Sequence, residues 1–138
     1  MPQTERLHAG DLDRLPDPPP RTELVDGSLV FPGPQNLFHM LTLALLEQGL
    51  RRWATWDRFR VRREMSVVLG ERQRPEPDLI VVDAAAETGT DRTWYPAEAV
   101  VLAVEVVSPD SEIRDRARKP QLYAEAGIPH FWRVEDQL

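Results

Sequence analysis

The pattern of apolar and polar positions divides the chain into short elements that alternate between strands and helices. Two apolar-rich runs over residues 23–31 flank Asp26-Gly27. This pair predicts a β-hairpin, because a type I′ turn needs positive φ at both central residues. Residues 36–53 repeat apolar side chains at helical spacing, and Asn36 is suited to cap their N-terminus. We therefore expect a hairpin followed by a long helix.

The apolar side chains of this helix form a stripe that we expect to face the core, because they recur at i, i+3 and i+4. The stripe consists of Leu37, Met40, Leu41, Ala44 and Leu45, and it is widened by Leu43, Leu46 and Leu50. The spacing thus predicts both the helix and its buried face.

Three segments follow the helix. Residues 58–69 begin with arginines that alternate with apolar side chains, which predicts a strand with two different faces. Residues 78–82 predict a short strand that is apolar on both faces, and a polar loop covers residues 83–97. The aliphatic run at 100–107 is the most β-prone in the chain, and we expect it to be the central strand of a sheet.

A second helix is predicted between this strand and a last short strand at 128–134. Ser108 is suited to the N-cap, and Pro109 fits the first helical position. The pattern continues to Ala126, and Gly127 follows as the residue that ends the helix.

The order of these elements predicts one mixed α/β or α+β layer system. The chain has 138 residues, enough for one domain with a single core, and we assign that domain to residues 22–138. The proline-rich residues 1–21 are expected to form a flexible arm.

Composition narrows the classes of protein to which this domain can belong. The chain has no cysteine, which excludes disulfides and thiolate metal sites and favours a cytoplasmic protein. No apolar run reaches the roughly 18 residues that a membrane span needs, so we expect no membrane partner. The net charge of -6 argues mildly against a nucleic-acid partner, although an acidic metal site would itself contribute negative charge.

Two carboxylates occupy unusual positions in the predicted sheet. Glu105 lies within the aliphatic run, where burial requires a cation, a basic partner or a raised pKa. Alternatively, Glu105 lies near the open end of the strand and is solvated. Asp78 begins a strand of the same type, where it either faces the same site or binds local backbone amides. Two such acids on neighbouring strands suit Mg²⁺, which also takes water and phosphate oxygens.

Lys119 is the only lysine, since 16 of the 17 basic side chains are arginine. Lysine is a compact ammonium and arginine a wide planar fork. Lys119 therefore either lies at a site that requires an ammonium or remained by chance under a coding bias against lysine. Beside a bound metal, an ammonium can orient the attacking water and neutralise charge on phosphate. Asp115 lies one turn earlier and forms either a partner for Lys119 or an ordinary surface pair.

A set of short motifs spans about residues 21–134. The motifs are Glu23-Leu24-Val25-Asp26-Gly27, His39, Pro77-Asp78, Glu105-Val106-Val107-Ser108-Pro109, Asp115, Lys119, Tyr123, Gly127-Ile128-Pro129 and Trp132. As a set they resemble the Uma-two family of predicted endonucleases, within the PD-(D/E)XK nuclease superfamily. The resemblance implies a restriction-endonuclease-like core of α/β (α+β) class, with a mixed central sheet flanked by helices and an N-terminal β-hairpin.

The resemblance also implies roles for the acids and the lysine. Asp78 and Glu105 are expected to bind Mg²⁺ or Mn²⁺, with the Val106 carbonyl as a third ligand. Lys119 is expected to position or activate the water. In the superfamily the lysine usually stands two residues after the second acid. Val107 occupies that position here, which implies that the lysine is on the following helix.

Glu23 and His39 are expected, by the same resemblance, to be accessory residues near this cleft. The alternatives are an exposed hairpin residue and a structural histidine. Pro120 follows the lysine directly, so the second helix is expected either to kink at Lys119 or to start anew at Pro120. The chain ends at Leu138, from which we expect a shortened domain whose open sheet edge pairs with a second copy in a homodimer.

A cluster of arginines with interleaved aromatic residues is the predicted DNA contact. Arg58, Arg60 and Arg62 lie on one face of the strand, which suits phosphate binding and base stacking, although a solvated basic face is the alternative. The preferred hypothesis is a metal-dependent endonuclease that hydrolyses phosphodiester bonds of DNA. The other is a catalytically inactive module of the same fold that binds DNA or a protein partner.

Overall fold

A four-stranded mixed sheet forms the centre of the protein in a computed structural model that describes residues 7–107 and 113–136. In these ranges the strands are β1 (Glu23–Val25), β2 (Ser28–Val30), β3 (Phe59–Arg63), β4 (Ser66–Val68), β5 (Leu79–Asp83), β6 (Trp94–Pro96), β7 (Val100–Val107) and β8 (His130–Glu135). The α-helices are α1 (Leu37–Trp53) and α2 (Ile113–Glu125), and short 3-10 helices span Ala9–Arg14, Ala84–Ala86 and Ala97–Ala99.

The strands of the main sheet lie in the order β3-β5-β7-β8. β5 runs antiparallel to both β3 and β7, whereas β8 runs parallel to β7. The interior strands β5 and β7 are almost wholly buried, because their aliphatic side chains pack on both faces of the sheet. The predicted central strand at 100–107 and the mixed central sheet are therefore confirmed.

The hairpin of β1 and β2 forms as predicted. Asp26 and Gly27 have φ of 51° and 78°, the positive values that its tight turn requires. Backbone hydrogen bonds in both directions between Leu24 and Arg74, of 3.0 and 2.8 Å, attach the hairpin to the chain before β5. This attachment brings Glu23 towards the end of the sheet where β5 begins.

The predicted strand at 58–69 is divided in two. Glu64 has a φ of 54° and donates its N–H to the Asp78 carbonyl at 3.1 Å, a distance typical of a backbone hydrogen bond. β3 stays in the main sheet, and β4 pairs with β6 in a separate parallel pair. The polar segment before β7 thus contains a strand that pairs with β4.

Helix α1 begins as predicted but buries a different face. The Asn36 side chain accepts a hydrogen bond from the His39 N–H at 2.9 Å. The predicted central stripe was wrong, since Leu41 is 53% exposed and Leu45 is 70% exposed. Of the residues predicted to widen it, Leu43 and Leu50 are buried, together with His39. Apolar residues lie all around this helix, so periodicity alone did not identify the face that packs on the sheet.

Helix α2 passes through Pro120 without ending. Proline has no N–H, so the Arg116 carbonyl four residues earlier loses its helical donor. The Arg133 guanidinium of β8 replaces that donor through Nη1, at 2.7 Å from the Arg116 oxygen. A new helix starting at Pro120 is therefore wrong. The predicted cap at Ser108-Pro109 lies outside the described residues.

The C-terminus of α2 agrees with the predicted role of Gly127. This residue has a φ of 83° and donates its N–H to the Ala124 carbonyl at 3.0 Å. Ile128 donates to the Tyr123 carbonyl at 3.2 Å, which completes a Schellman motif. The chain then turns directly into β8.

The described part of the predicted arm, residues 7–21, is in contact with the domain. Ala9 donates its N–H to the Glu71 carbonyl at 2.8 Å. The buried Arg74 guanidinium donates to both Asp13 carboxylate oxygens, at 3.1 and 3.0 Å. A boundary at residue 22 would therefore divide these contacts. No α-helix in the described ranges is both long and apolar enough to cross a membrane.

Candidate active site

A cleft of about 570 Å³ lies at one end of the main sheet. Asp78 precedes β5, and Glu105 lies near the end of β7; because these strands are antiparallel, both residues reach the same edge. The charged residues that line the cleft, among those described, are Arg21, Glu23, Glu76, Asp78, Glu105, Arg116, Lys119 and Arg133. The cleft thus collects side chains from β1, α2, β8 and the segment before β5.

Asp78 is held by three donors. Oδ1 lies 2.9 Å from His39 Nε2 and 2.8 Å from Arg21 Nη2. Oδ2 accepts the Val106 N–H at 2.6 Å. Burial would raise the pKa of Asp78, but His39, Arg21 and the Val106 N–H together lower it below its ordinary value. Asp78 is therefore an oriented carboxylate that stays ionised.

Glu105 and Lys119 form a buried pair, only 8% and 7% exposed. Lys119 Nζ lies 2.9 Å from Glu105 Oε2 and 2.7 Å from Glu23 Oε2. The Tyr123 hydroxyl donates to the same Glu105 oxygen at 2.6 Å. The Glu105 side chain is thus buried and not solvated, and its basic partner is Lys119.

The pKa values of Glu105 and Lys119 are both raised. Burial raises the pKa of Glu105 to about 7; Lys119 acts against this shift, and the charges of Glu23 and Asp78 add to it. Burial would lower the pKa of Lys119, but Glu105 and Glu23 raise it well above the ordinary value. Lys119 therefore remains an ammonium at neutral pH, and Glu105 is the group that can change its charge there.

Arg21 is a site residue that the sequence analysis missed. Its guanidinium contacts Asp78 and also donates to Glu76, through Nε to Oε2 at 3.0 Å and through Nη2 to the carbonyl at 3.0 Å. Burial, only partly offset by Arg21, raises the pKa of Glu76. The acids of Pro75-Glu76-Pro77-Asp78 were the available signal, since a buried carboxylate and a half-buried one so close in sequence need a cation.

The free lone pairs of the two carboxylates decide whether a metal ion fits. A carboxylate offers about four acceptor sites. Asp78 uses three of its sites, and Glu105 uses Oε2 for Lys119 and Tyr123 but accepts no hydrogen bond at Oε1 from the described residues. Asp78 Oδ2 and Glu105 Oε1 can therefore each still bind a cation.

The number of ligands indicates which kind of metal ion suits this edge. The described residues contain no group of three or more His, Cys, Asp or Glu side chains arranged to hold a metal. A closed zinc-type site among them is thereby excluded. Two carboxylates are sufficient for Mg²⁺, which keeps several waters and binds substrate phosphate oxygens. The residues therefore fit a hard, partly hydrated cation.

The predicted residues fall into two places. Asp78, Glu105, Lys119, Glu23 and His39 meet at this cleft. The side chain of Asp115 lies outside what the structure describes, so its accessory role as a partner for Lys119 stays a prediction. The same holds for the Val106 carbonyl as a metal ligand, although the Val106 N–H binds Asp78.

The arginines predicted to contact DNA lie on and beside β3, away from the residues that line the cleft. Arg62 donates to both carboxylate oxygens of Glu87, at 2.5 and 2.6 Å, and this bond lowers the pKa of Glu87 to about 2. The Arg60 guanidinium lies 3.8 Å from the centre of the Trp56 ring. Arg62 is therefore neutralised locally, whereas Arg60 lies on an aromatic face.

Comparisons with known proteins identify the family and the fold. The Uma2 family model, described as "Putative restriction endonuclease", matches residues 9–137. The crystal structure of a "putative nuclease belonging to DUF820" from Anabaena variabilis ATCC 29413 has a TM-score of 0.75 and 16% identity. The match covers 94% of this chain and 74% of that chain. No curated protein sequence matches. The structural likeness supports the restriction-endonuclease-like fold. The family match over most of the chain shows that this protein belongs to the Uma2 family.

Proposed function

We propose that this protein is a metal-dependent endonuclease that hydrolyses phosphodiester bonds of DNA. One observation carries the proposal: the oriented carboxylate of Asp78 and the buried Glu105–Lys119 pair line the same open cleft. Each carboxylate retains a free acceptor, and the ammonium has three donors, of which two bind Glu23 and Glu105. The third donor has no acceptor among the described residues and can bind a water or a phosphate oxygen.

Each residue of the site has a separate task in this mechanism. Mg²⁺ or Mn²⁺, when held by Asp78 and Glu105, would polarise the scissile phosphate and lower the pKa of its water. Lys119 is not a general base, because its raised pKa keeps it protonated; it orients the water and offsets charge on the phosphate. His39 and Arg21 hold Asp78 through Oδ1, and Oδ2, which accepts the Val106 N–H, has an acceptor site left that would bind the metal.

The test measures metal binding and cleavage on the same variants. We expect wild type to cleave plasmid DNA with Mg²⁺ or Mn²⁺, and Asp78→Asn, Glu105→Gln and Lys119→Met to lose cleavage. Asp78→Asn and Glu105→Gln should also lose Mn²⁺ binding by calorimetry. Glu98→Gln and Arg52→Gln, on exposed residues, are matched controls. If wild type binds no divalent ion and the site variants equal the controls, the proposal is wrong.

The second candidate is a catalytically inactive module of the same fold that binds DNA or a protein partner. It is favoured by one feature of the cleft: Lys119 and Arg21 are already paired with the carboxylates that a metal would need. This candidate predicts DNA binding that is indifferent to Glu105→Gln and depends on Arg58, Arg60 and Arg62. Absence of cleavage together with normal DNA affinity in Glu105→Gln would support it.

A homodimer is part of the proposal, with the outer face of α1 as its interface in place of the sheet edge expected from the sequence. The outer face of α1 exposes Leu37, Met40, Leu41 and Leu45, and residues 37–46 contain no Asp, Glu, Lys or Arg. An apolar face of this kind is complementary to itself, which a two-fold interface requires. A cytoplasmic location remains our expectation from the absence of cysteine.

A further inference from the structure

Arg116 and Arg133 form a second charged group in the cleft, next to the carboxylate pair. Arg116 lies one turn before Lys119 on α2, and both arginines line the cleft. Arg133 lies on β8 directly beside Glu105, since the two are register partners of the parallel pair β7–β8. Neighbouring strands are about 4.8 Å apart, so this group begins one strand away from Glu105.

The two guanidinium groups are held together by the proline of α2. Pro120 leaves the Arg116 carbonyl without its helical donor, and Arg133 Nη1 binds that oxygen at 2.7 Å. Arg133 is thereby fixed against the turn that carries the Arg116 side chain. Pro120 thus helps to bring the guanidinium groups of Arg116 and Arg133 to one wall of the cleft.

Among the residues that the structure describes, a single carboxylate pairs with both guanidinium groups. Glu135 Oε1 binds Arg116 Nη2 and lies 3.4 Å from Arg133 Nε. One negative charge cannot neutralise two positive charges, so Arg116, Arg133 and Glu135, taken with no residue outside the described ranges, carry a net positive charge. The pairs are between a fifth and two-fifths exposed, and ion pairs of this kind are readily exchanged for a better acceptor.

One donor of this group has no acceptor. Arg116 Nε is buried and makes no hydrogen bond, which is true of no other buried side-chain nitrogen or oxygen in the described part of the protein. A buried donor without an acceptor is unfavourable, and such groups are found where a ligand completes the bonding. Nε and Nη2 lie on the same edge of a guanidinium group, the edge that binds a phosphate through two parallel hydrogen bonds.

We infer that Arg116 and Arg133 form a phosphate-binding subsite for the nucleic-acid backbone, in which Glu135 occupies the phosphate position until substrate binds. The inference rests on the proposed nuclease function and extends it to the phosphate beside the scissile one. Binding exchanges the Glu135 carboxylate for a phosphate oxygen pair, which satisfies Arg116 Nε. Glu135 therefore weakens binding of nucleic acid, whereas the two arginines strengthen it.

The experiment measures the affinity of a labelled single-stranded DNA oligonucleotide by fluorescence anisotropy with Ca²⁺ present. We expect Arg116→Gln to weaken binding about tenfold and Glu135→Gln to strengthen it severalfold. We also expect the salt slope of log K in Arg116→Gln to decrease by about 0.7, the value for one phosphate contact on a single strand. Arg118→Gln is the matched control, since Arg118 lies on the same helix and pairs with Asp26 outside the cleft.

Each outcome separates the subsite from the catalytic proposal. The same affinity in Arg116→Gln and Arg118→Gln, with Glu135→Gln unchanged, would overturn the inference even if the enzyme cleaves DNA. Opposite shifts in Arg116→Gln and Glu135→Gln, with Mn²⁺ affinity unchanged, support the subsite even if no cleavage is found. Thermal unfolding of each variant identifies loss of structure, and Glu135→Gln keeps the test decisive because a misfolded protein cannot bind more tightly.

Discussion

Lys119 Nζ lies 2.9 Å from Glu105 Oε2, and both groups are buried at the open end of the central strand. Glu23 binds the same ammonium from the hairpin at 2.7 Å. Arginine would not serve here, because its guanidinium group is wider than an ammonium and directs its donors in a fixed plane. The only lysine in the chain is thus placed where a compact cation has to contact two carboxylates.

Removal of this ammonium should destabilise the fold. We expect Lys119→Met to lower the free energy of unfolding by about 3–5 kcal/mol near neutral pH, the range for a buried ion pair that loses one partner. The loss should be smaller at about pH 5, because protonation of Glu105 removes the unpaired charge. Urea unfolding at both pH values checks this. An equal loss of unfolding free energy at both pH values would contradict the role of Glu105 as the unpaired charge. Arg52→Met is the control for removal of an exposed cation.

The raised pKa of Glu105 should make metal binding depend on pH. With a pKa of about 7, the ionised fraction of Glu105 rises about tenfold between about pH 6 and about pH 8, and Mn²⁺ affinity should follow it. Calorimetry at about pH 6 in two buffers of different ionisation enthalpy should detect the release of about one proton per metal. A Mn²⁺ affinity that does not change between about pH 6 and about pH 8 would show that Glu105 is not the titrating ligand.

The same shift predicts how stability changes with pH. The pKa of Glu105 is higher in the folded protein than its ordinary 4.5, so the protonated form favours folding. This contribution is complete below about pH 4.5 and is lost as the pH rises through about 7. We expect Glu105→Gln, which is neutral throughout, to lack this decrease in the free energy of unfolding. Urea titrations of the variant and wild type in parallel measure the difference.

Arg21 should act as an internal cation for Asp78 and Glu76. We expect Arg21→Gln to lower the melting temperature in the absence of metal, because the half-buried Glu76 loses its cation and the buried Asp78 loses one of its three donors. The increase in melting temperature on adding Mn²⁺ should be larger in this variant than in wild type, since a metal can replace the lost charge. Arg14→Gln, which removes an exposed partner of Asp11, is the control. Equal responses to Mn²⁺ in Arg21→Gln and wild type would contradict this role.

The exposed face of α1 should control the oligomeric state. We expect wild type to be a dimer by analytical ultracentrifugation and Leu41→Glu/Leu45→Glu to be a monomer with an unchanged melting temperature at high dilution, because both side chains are exposed. Phe31→Glu, which changes an exposed apolar residue outside α1, should remain dimeric. A monomeric wild type would refute the proposed dimer.

Sequence patterns predicted the turn, the helix ends and the central strand of this protein well, because each depends on neighbouring residues. The Asp26-Gly27 turn, the Asn36 cap, the helix end at Gly127 and the central strand all depend on residues within a few positions of one another. Glu105 was identifiable because a carboxylate in an aliphatic strand needs a partner wherever the strand lies. Lys119 was identifiable by its rarity and by the family resemblance.

Faces and partners were decided by the tertiary structure. Periodicity chose the wrong face of α1, since a helix that is apolar all round contains no local signal for which side meets the sheet. The bond between Lys119 and Glu23 joins residues 96 positions apart, and Arg21 reaches Glu76 across 55 positions. No local pattern encodes such pairs, because they form only when strands pair and bring distant side chains to one edge. The sequence by itself therefore determined which residues need partners, and the packing of sheet, hairpin and helix decided which partners they have.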